Sequence, residues 1–347
     1  MVTVTLESLL NPGIDTDSIR VSDLDFESVM FDYSDVMIEG ADLDVEVATV
    51  LNAQTCTMAM ESVNMEAANR VGEALKKVAH AVVKFLYKLL LTIRNILLAP
   101  ITIIINLVKG NSFKQALEVV KLGIKVDNAE IDEIFDWAFK ITPSQETIER
   151  RRKLMDEMTE FLQEMIKEAK IAVFTTVTNA GAFYQDHFDE TYSDHNHSHS
   201  HSEYNHYDGG YAGQYGTRDA TDEAFKKKFE DLKKNYDDIV AGKKFCASGE
   251  DLQSSFNATK ESKLADTREK IRDCETTIKI IEKKLNGKEW ETMSEGDRQR
   301  CVKMLNRIKV TLSQITVMAK DEAVDVKNIF EVVNRLAKEY PNLNNAA

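Results

Sequence analysis

Along most of the chain apolar side chains recur every three or four positions, and β-branched alternation with a period of two is nearly absent after residue 110. A spacing of three and four places apolar positions on one face of an α-helix. Residues 53–99 read as helix: QTCTMAMESVNMEAANRVGEALKKV is rich in Ala, Met and Glu, which are strong helix formers. Pro100 should kink or end that helix near Ala99, and ITIIINLV after it fits either a strand or a buried helix. Two short helices follow, over SFKQALEVVKLG with Ser112 as N-cap, and over NAEIDEIFDWAFK. Thr142 as cap, Pro143 in the first helical position and Gln145 completing a capping box predict a further helix. That helix runs to about Thr175 on a seam of Ile148, Met155, Met158, Leu162, Met165 and Ala169.

The same periodicity returns after residue 220. Thr221 should cap a helix carrying Phe225, Phe229, Leu232, Tyr236 and Ile239 on one face, ending near Gly242. Leu264, Ile271, Ile278 and Leu285 then repeat at sevens, with Cys274 and Ile281 in the partner positions. Asn286-Gly287 stops that helix, and Ser294 starts the last one. Cys301, Leu305, Ile308, Leu312, Ile315, Ile329, Val333 and Leu336 carry its seam until Pro341 ends it. The prediction is an all-α protein, a helical bundle or bundles of long antiparallel helices, with a C-terminal hairpin or bundle that can oligomerise.

Two stretches break the pattern. Residues 1–50 scatter hydrophobes among acidic side chains, which predicts short helices or disorder. Residues 183–217 are dominated by Gly, Ser, Asn, His and Tyr, the composition of a linker. The organisation is therefore an acidic leader over 1–52, disordered or removed. A helical unit follows over 53–182, then the His-rich linker over 183–217 and a second helical unit over 218–347.

Charge changes this picture in one respect. The net charge of −14 argues against nucleic acid as a partner. Residues 1–47 hold twelve Asp or Glu against one Arg, whereas residues 71–125 hold nine Lys or Arg against two Glu. An acidic leader precedes a basic, apolar block, and either folds onto it or has a fate of its own.

Candidate chemistry is sparse. From Leu89 to Val108 the only charge is Arg94, so residues 84–109 contain a stretch of membrane length. Lys77, His80, Lys84 and Lys88 form a basic stripe leading into it. Lys77, Lys84, Lys88, Leu89, Arg94, Pro100, Ile104 and Val108 are accordingly the candidate membrane-contacting residues, with the lysines facing anionic headgroups. The competing readings are a buried core helix and an oligomer interface. His195, His197, His199 and His201 alternate, so an extended chain puts all four on one side, where they can take up Zn or Ni adventitiously. No cofactor is otherwise implied. The chain contains no GxSxG, P-loop, GxGxxG or kinase signature, which predicts a protein that is not an enzyme. The four cysteines lack metal-ligand spacing and read as reduced thiols of a chain made in a cytosol. MVTVTLESLLNPG lacks the basic start and apolar core of a secretory signal.

The acidic leader, the Ala/Met/Glu-rich helix and the Lys-studded apolar helix in ESVNMEAANRVGEALKKVAHAVVKFLYKLLL, followed by a long helical tail, together resemble internal virion proteins of large tailed bacteriophages. The resemblance implies a non-enzymatic virion component, made in the host cytoplasm. It would be packed with other virion proteins or with itself and delivered at the host envelope, where an anionic membrane is a partner. Head proteases of such phages resemble one another in cutting after Glu, with a small or aliphatic residue two positions before and a small residue after. Ala59-Met60-Glu61 followed by Ser62 fits that pattern, and Met37-Ile38-Glu39 followed by Gly40 fits less well. The alternatives are an α-helical pore-forming or membrane-permeabilising protein and a cytosolic helical scaffold.

Overall fold

The structure, a computed structural model, describes residues 26–59, 65–122, 129–174, 216–261 and 263–344. These fold into helices: α1 (Phe26–Ala59), α2 (Met65–Lys109), α3 (Asn111–Leu122), α4 (Ala129–Ile141), α5 (Gln145–Phe174), α6 (Gly216–Ala241), α7 (Gly249–Lys260), α8 (Leu264–Leu285), α9 (Lys288–Thr292) and α10 (Glu295–Asn344). Among the described residues there is no strand, only an isolated antiparallel bridge between Pro143 and Phe245. The protein is an all-α helical bundle.

Helix α2 is the axis. It packs against α1, α8 and α10 along its length and touches α3 and α7. At 1.5 Å per residue its 45 residues span about 67 Å, and the 50 residues of α10 about 75 Å. Such lengths are stable because apolar seams run the full helix rather than because of propensity alone. In α8 the residues at sevens, Leu264, Ile271, Ile278 and Leu285, are all buried, as are Cys274 and Ile281. In α10 the seam residues from Cys301 to Leu336 are buried likewise. One hydrophobic cluster joins side chains from α1 through α10.

The helices on either side of the His-rich segment therefore share one core, where the sequence predicts two helical units. The reason is geometric: the seams of α8 and α10 close on α2 and α5 rather than on each other, so these two helices do not form the predicted C-terminal hairpin. Residues 26–52 of the acidic leader are helix, and the predicted helix over 53–99 divides, since 53–59 complete α1 and α2 begins at Met65.

Pro100 does not end α2. It lies inside a helix that continues to Lys109, buried among its neighbours, and ITIIINLV is helical. A proline removes one backbone donor, and burial of the surrounding Ile93, Ile96, Leu97 and Ile103 outweighs that loss. Nearby, the Thr102 hydroxyl donates to the Leu98 carbonyl at 2.9 Å.

The predicted cap at Thr142 moves two residues on. Ser144 caps α5, accepting from the Thr147 amide at 3.4 Å, while Thr142 and Pro143 join the bridge to residues 245–246. Gln145 pairs instead with Glu149 on its own helix. Helix α6 starts at Gly216, ahead of Thr221, and α10 passes through Pro341 to Asn344. The sequence reading also lacks α7, whose N-cap Ser248 accepts from the Asp251 amide.

Candidate functional site

The apolar stretch of α2 has two faces. Leu89, Leu90, Ile93, Ile96 and Leu97 are wholly enclosed, so most of the membrane-length segment is core. By length and composition α2 is the one described helix able to cross a membrane, and just over half of its apolar window is buried. Arg94, its only charge, pairs with Glu275 of α8 at 2.5 Å, and Arg268 of α8 donates to the Arg94 carbonyl at 3.0 Å. Burial, with Arg94 and Arg272 nearby, lowers the Arg268 pKa to about 10.

The candidate membrane residues divide between these faces. Lys77, Lys84, Lys88 and Val108 are exposed; Leu89, Pro100 and Ile104 are buried, and Arg94 is held in its ion pair. Buried apolar positions spaced by three and four leave a complementary outer stripe. That stripe begins basic, at Lys77, Lys84 and Lys88, and becomes apolar at Leu91, which is 55% exposed, and at Ile105 and Val108. His80 lies half-buried beside the stripe. Burial, with Lys76 close by, lowers its pKa.

The acidic helix α1 lies on the basic block. Among its described side chains Val36, Leu43 and Val47 are the buried apolar ones, and Gly40 sits between them. A side chain at Gly40 would collide with the Phe85 ring, its Cβ falling 2.9 Å from Cζ. Lys309 of α10, only 1% exposed, donates to the Gly40 carbonyl at 2.9 Å and pairs with Asp44. Its ammonium also lies 5.8 Å from the Phe85 ring centre. Lys88 pairs with Glu39, and Lys320 stands over the Tyr33 ring. Opposite charges therefore join the leader to the block through Lys88 and to α10 through Lys309.

A second charged group, absent from the sequence reading, lies between α5, α7, α10 and the loop after α6. Arg151 donates to Glu322 at 2.5 Å and to Asp325, all three nearly inaccessible to solvent. Arg152 reaches Glu322 through Nε at 2.7 Å and the Ala258 carbonyl through Nη1 at 2.7 Å. Lys243 adds a contact to Asp325 at 2.8 Å, and the Tyr236 hydroxyl donates to Asp321. Burial alone would lower the Arg151 pKa, but Glu322 and Asp325 outweigh it and raise it. For Glu322 burial acts upward, and Arg152 and Arg151 hold it below its ordinary value.

A shallow cavity of about 150 Å³ opens beside this group, lined by Thr147, Arg151, Lys243, Asp321 and Asp325 among others. Three cations face three carboxylates, each with a partner inside the group. The arrangement ties elements together through paired buried charges. Glu322 occupies the core register of α10, four before Val326 and seven after Ile315, which is the signal that could have revealed it.

The remaining candidates fall elsewhere. Glu61 and Ser62 lie outside the described residues, between the ends of α1 and α2 in sequence, and His195, His197, His199 and His201 also lie outside them. No group of metal-ligating side chains occurs among the described residues. The weaker processing position, after Glu39, is inside α1 with Gly40 packed on Phe85. Comparison with known proteins finds no matching family model, no similar curated protein and no matching solved structure.

Proposed function

We propose that this chain is a non-enzymatic structural protein of a large tailed bacteriophage particle, an internal virion component that contacts an anionic membrane on delivery. The observation that carries the structural role is the single core built around α2, into which both halves of the chain are packed. The charged side chains of the interior serve the same end, since Arg151, Arg152, Glu322 and Asp325 clamp helices to one another. The particle setting rests on the sequence resemblance.

Mass spectrometry of purified particles tests this reading. The chain is expected among the particle proteins, with peptides that start at Ser62 more abundant than peptides from residues 1–61. Absence of the chain from particles contradicts the proposal, and a full complement of intact leader peptides removes the processing step.

A second reading is membrane permeabilisation. It draws on the enclosure of a membrane-length helix by amphipathic neighbours, because a helix of that kind can be released into a bilayer. Dye leakage from anionic vesicles at low protein concentration would favour it.

A further inference from the structure

The seat of α1 has the features of a detachable cover. Among its described side chains the apolar contact is Val36, Leu43 and Val47, with Tyr33, Val50 and Leu51 partly buried beside them, while Ile38 and Val45 are 64% and 68% exposed. Lysines of the bundle make polar contacts to it: Lys88 to Glu39, Lys309 to Asp44 and the Gly40 carbonyl, and Lys320 over Tyr33. Lys309 is the telling residue. An ammonium buried on a core-facing side of α10 is costly unless it is paired, and its polar contacts lie on α1. Lifting α1 would leave Lys309 and Phe85 open beside Lys84 and Lys88, which are already exposed.

We propose that α1 is a lid over a lipid-docking face, in which Glu39 and Asp44 occupy the places that anionic headgroups take once the lid lifts. The face so uncovered combines four lysines, Lys84, Lys88, Lys309 and Lys320, with the aromatic ring of Phe85. It is continuous with the outer stripe of α2, which carries Leu91. Lysines near a surface of acidic lipid attract it, and a phenylalanine ring inserts at the boundary between headgroups and acyl chains. The bundle beneath stays folded, because α8 and α10 pack on α2 and α5 more extensively than α10 packs on the lid. This inference rests on the membrane contact in the reading above; detection of the chain in particles tests where the protein resides and is independent of it.

The test uses the full chain and two variants. Gly40→Val drives a branched side chain into Phe85 and lifts α1; Gly40→Val with Phe85→Leu makes room again. Hydrogen exchange reports the lid, and co-sedimentation with vesicles of phosphatidylcholine, with or without phosphatidylglycerol, reports docking. In G40V, amides of residues 33–52 should exchange faster while those of α10 stay unchanged. Binding to the anionic vesicles should rise on the order of tenfold, from the uncovering of Lys309 and the release of Lys88 and Lys320 from their contacts with α1. Both changes should reverse in the double variant. Three results overturn the proposal: a loosened α1 with no gain in anionic binding, an equal gain on neutral vesicles, or faster exchange of α10 together with α1.

Discussion

At the scale of residues, the interior charges decide most. Glu322 is fully enclosed with two arginines against it, so Glu322→Ala leaves both guanidinium groups short of a counter-charge. Losing one partner of a buried pair costs about 3–5 kcal/mol. Chemical denaturation should show a loss of that size, with a smaller loss for Glu322→Gln. The pH dependence follows from the sign of the shift. A carboxylate held below its ordinary 4.5 contributes stability above that pH, and loses it as the pH falls through the folded-state value.

Glu168 behaves in the opposite sense. Burial, with Glu164 beside it, raises its pKa to about 7, against the pull of Arg307 and Lys228. Its stability contribution is whole below 4.5 and lost as pH rises through 7. Thermal unfolding of Glu168→Gln should therefore match the parent at pH 4 and exceed it at pH 8. The thiols of Cys246, Cys274 and Cys301 are buried, and burial pushes them up to about 11, 12 and 12. A thiol reagent at pH 8 should leave these three untouched in the folded protein and label them in denaturant.

At the scale of elements, α2 sets apart what a sequence reveals and what it conceals. The seams of α8 and α10 were legible because a repeat of three and four reports one-sided burial directly. The outer basic stripe of α2 was legible for the same reason, since Lys77, Lys84 and Lys88 face solvent. An apolar run reports only that its environment is apolar, and lipid and protein core satisfy it equally. Two neighbours in the run separate the alternatives. Leu90 is enclosed and Leu91 is 55% exposed. Leu90→Ala should cost about 2–5 kcal/mol in water, and Leu91→Ala about 0.5 kcal/mol or less. Equal, small effects would contradict core packing. Helix α7 escaped notice because its twelve residues are largely polar and its buried Ser255 and Thr259 carry no hydrophobic signal.

At the scale of the whole molecule, partners far apart in sequence explain what remained hidden. Lys309 meets Gly40 across 269 positions and Arg94 meets Glu275 across 181. The opposite charges of leader and block announced their attraction, yet nothing local says that a buried lysine of α10 completes the seat. The His-rich segment reads as a divider because composition measures cohesion along the chain, whereas one cluster of side chains joins the helices before and after it. The central claim is that the membrane-length helix is the axis of that shared core. Hydrogen exchange of the full chain in lipid-free buffer tests it most directly. The account predicts that amides of residues 89–108 are among the slowest, matching residues 305–336 of α10. Rapid exchange of 89–108 in buffer, with protection gained only when vesicles are added, would contradict it.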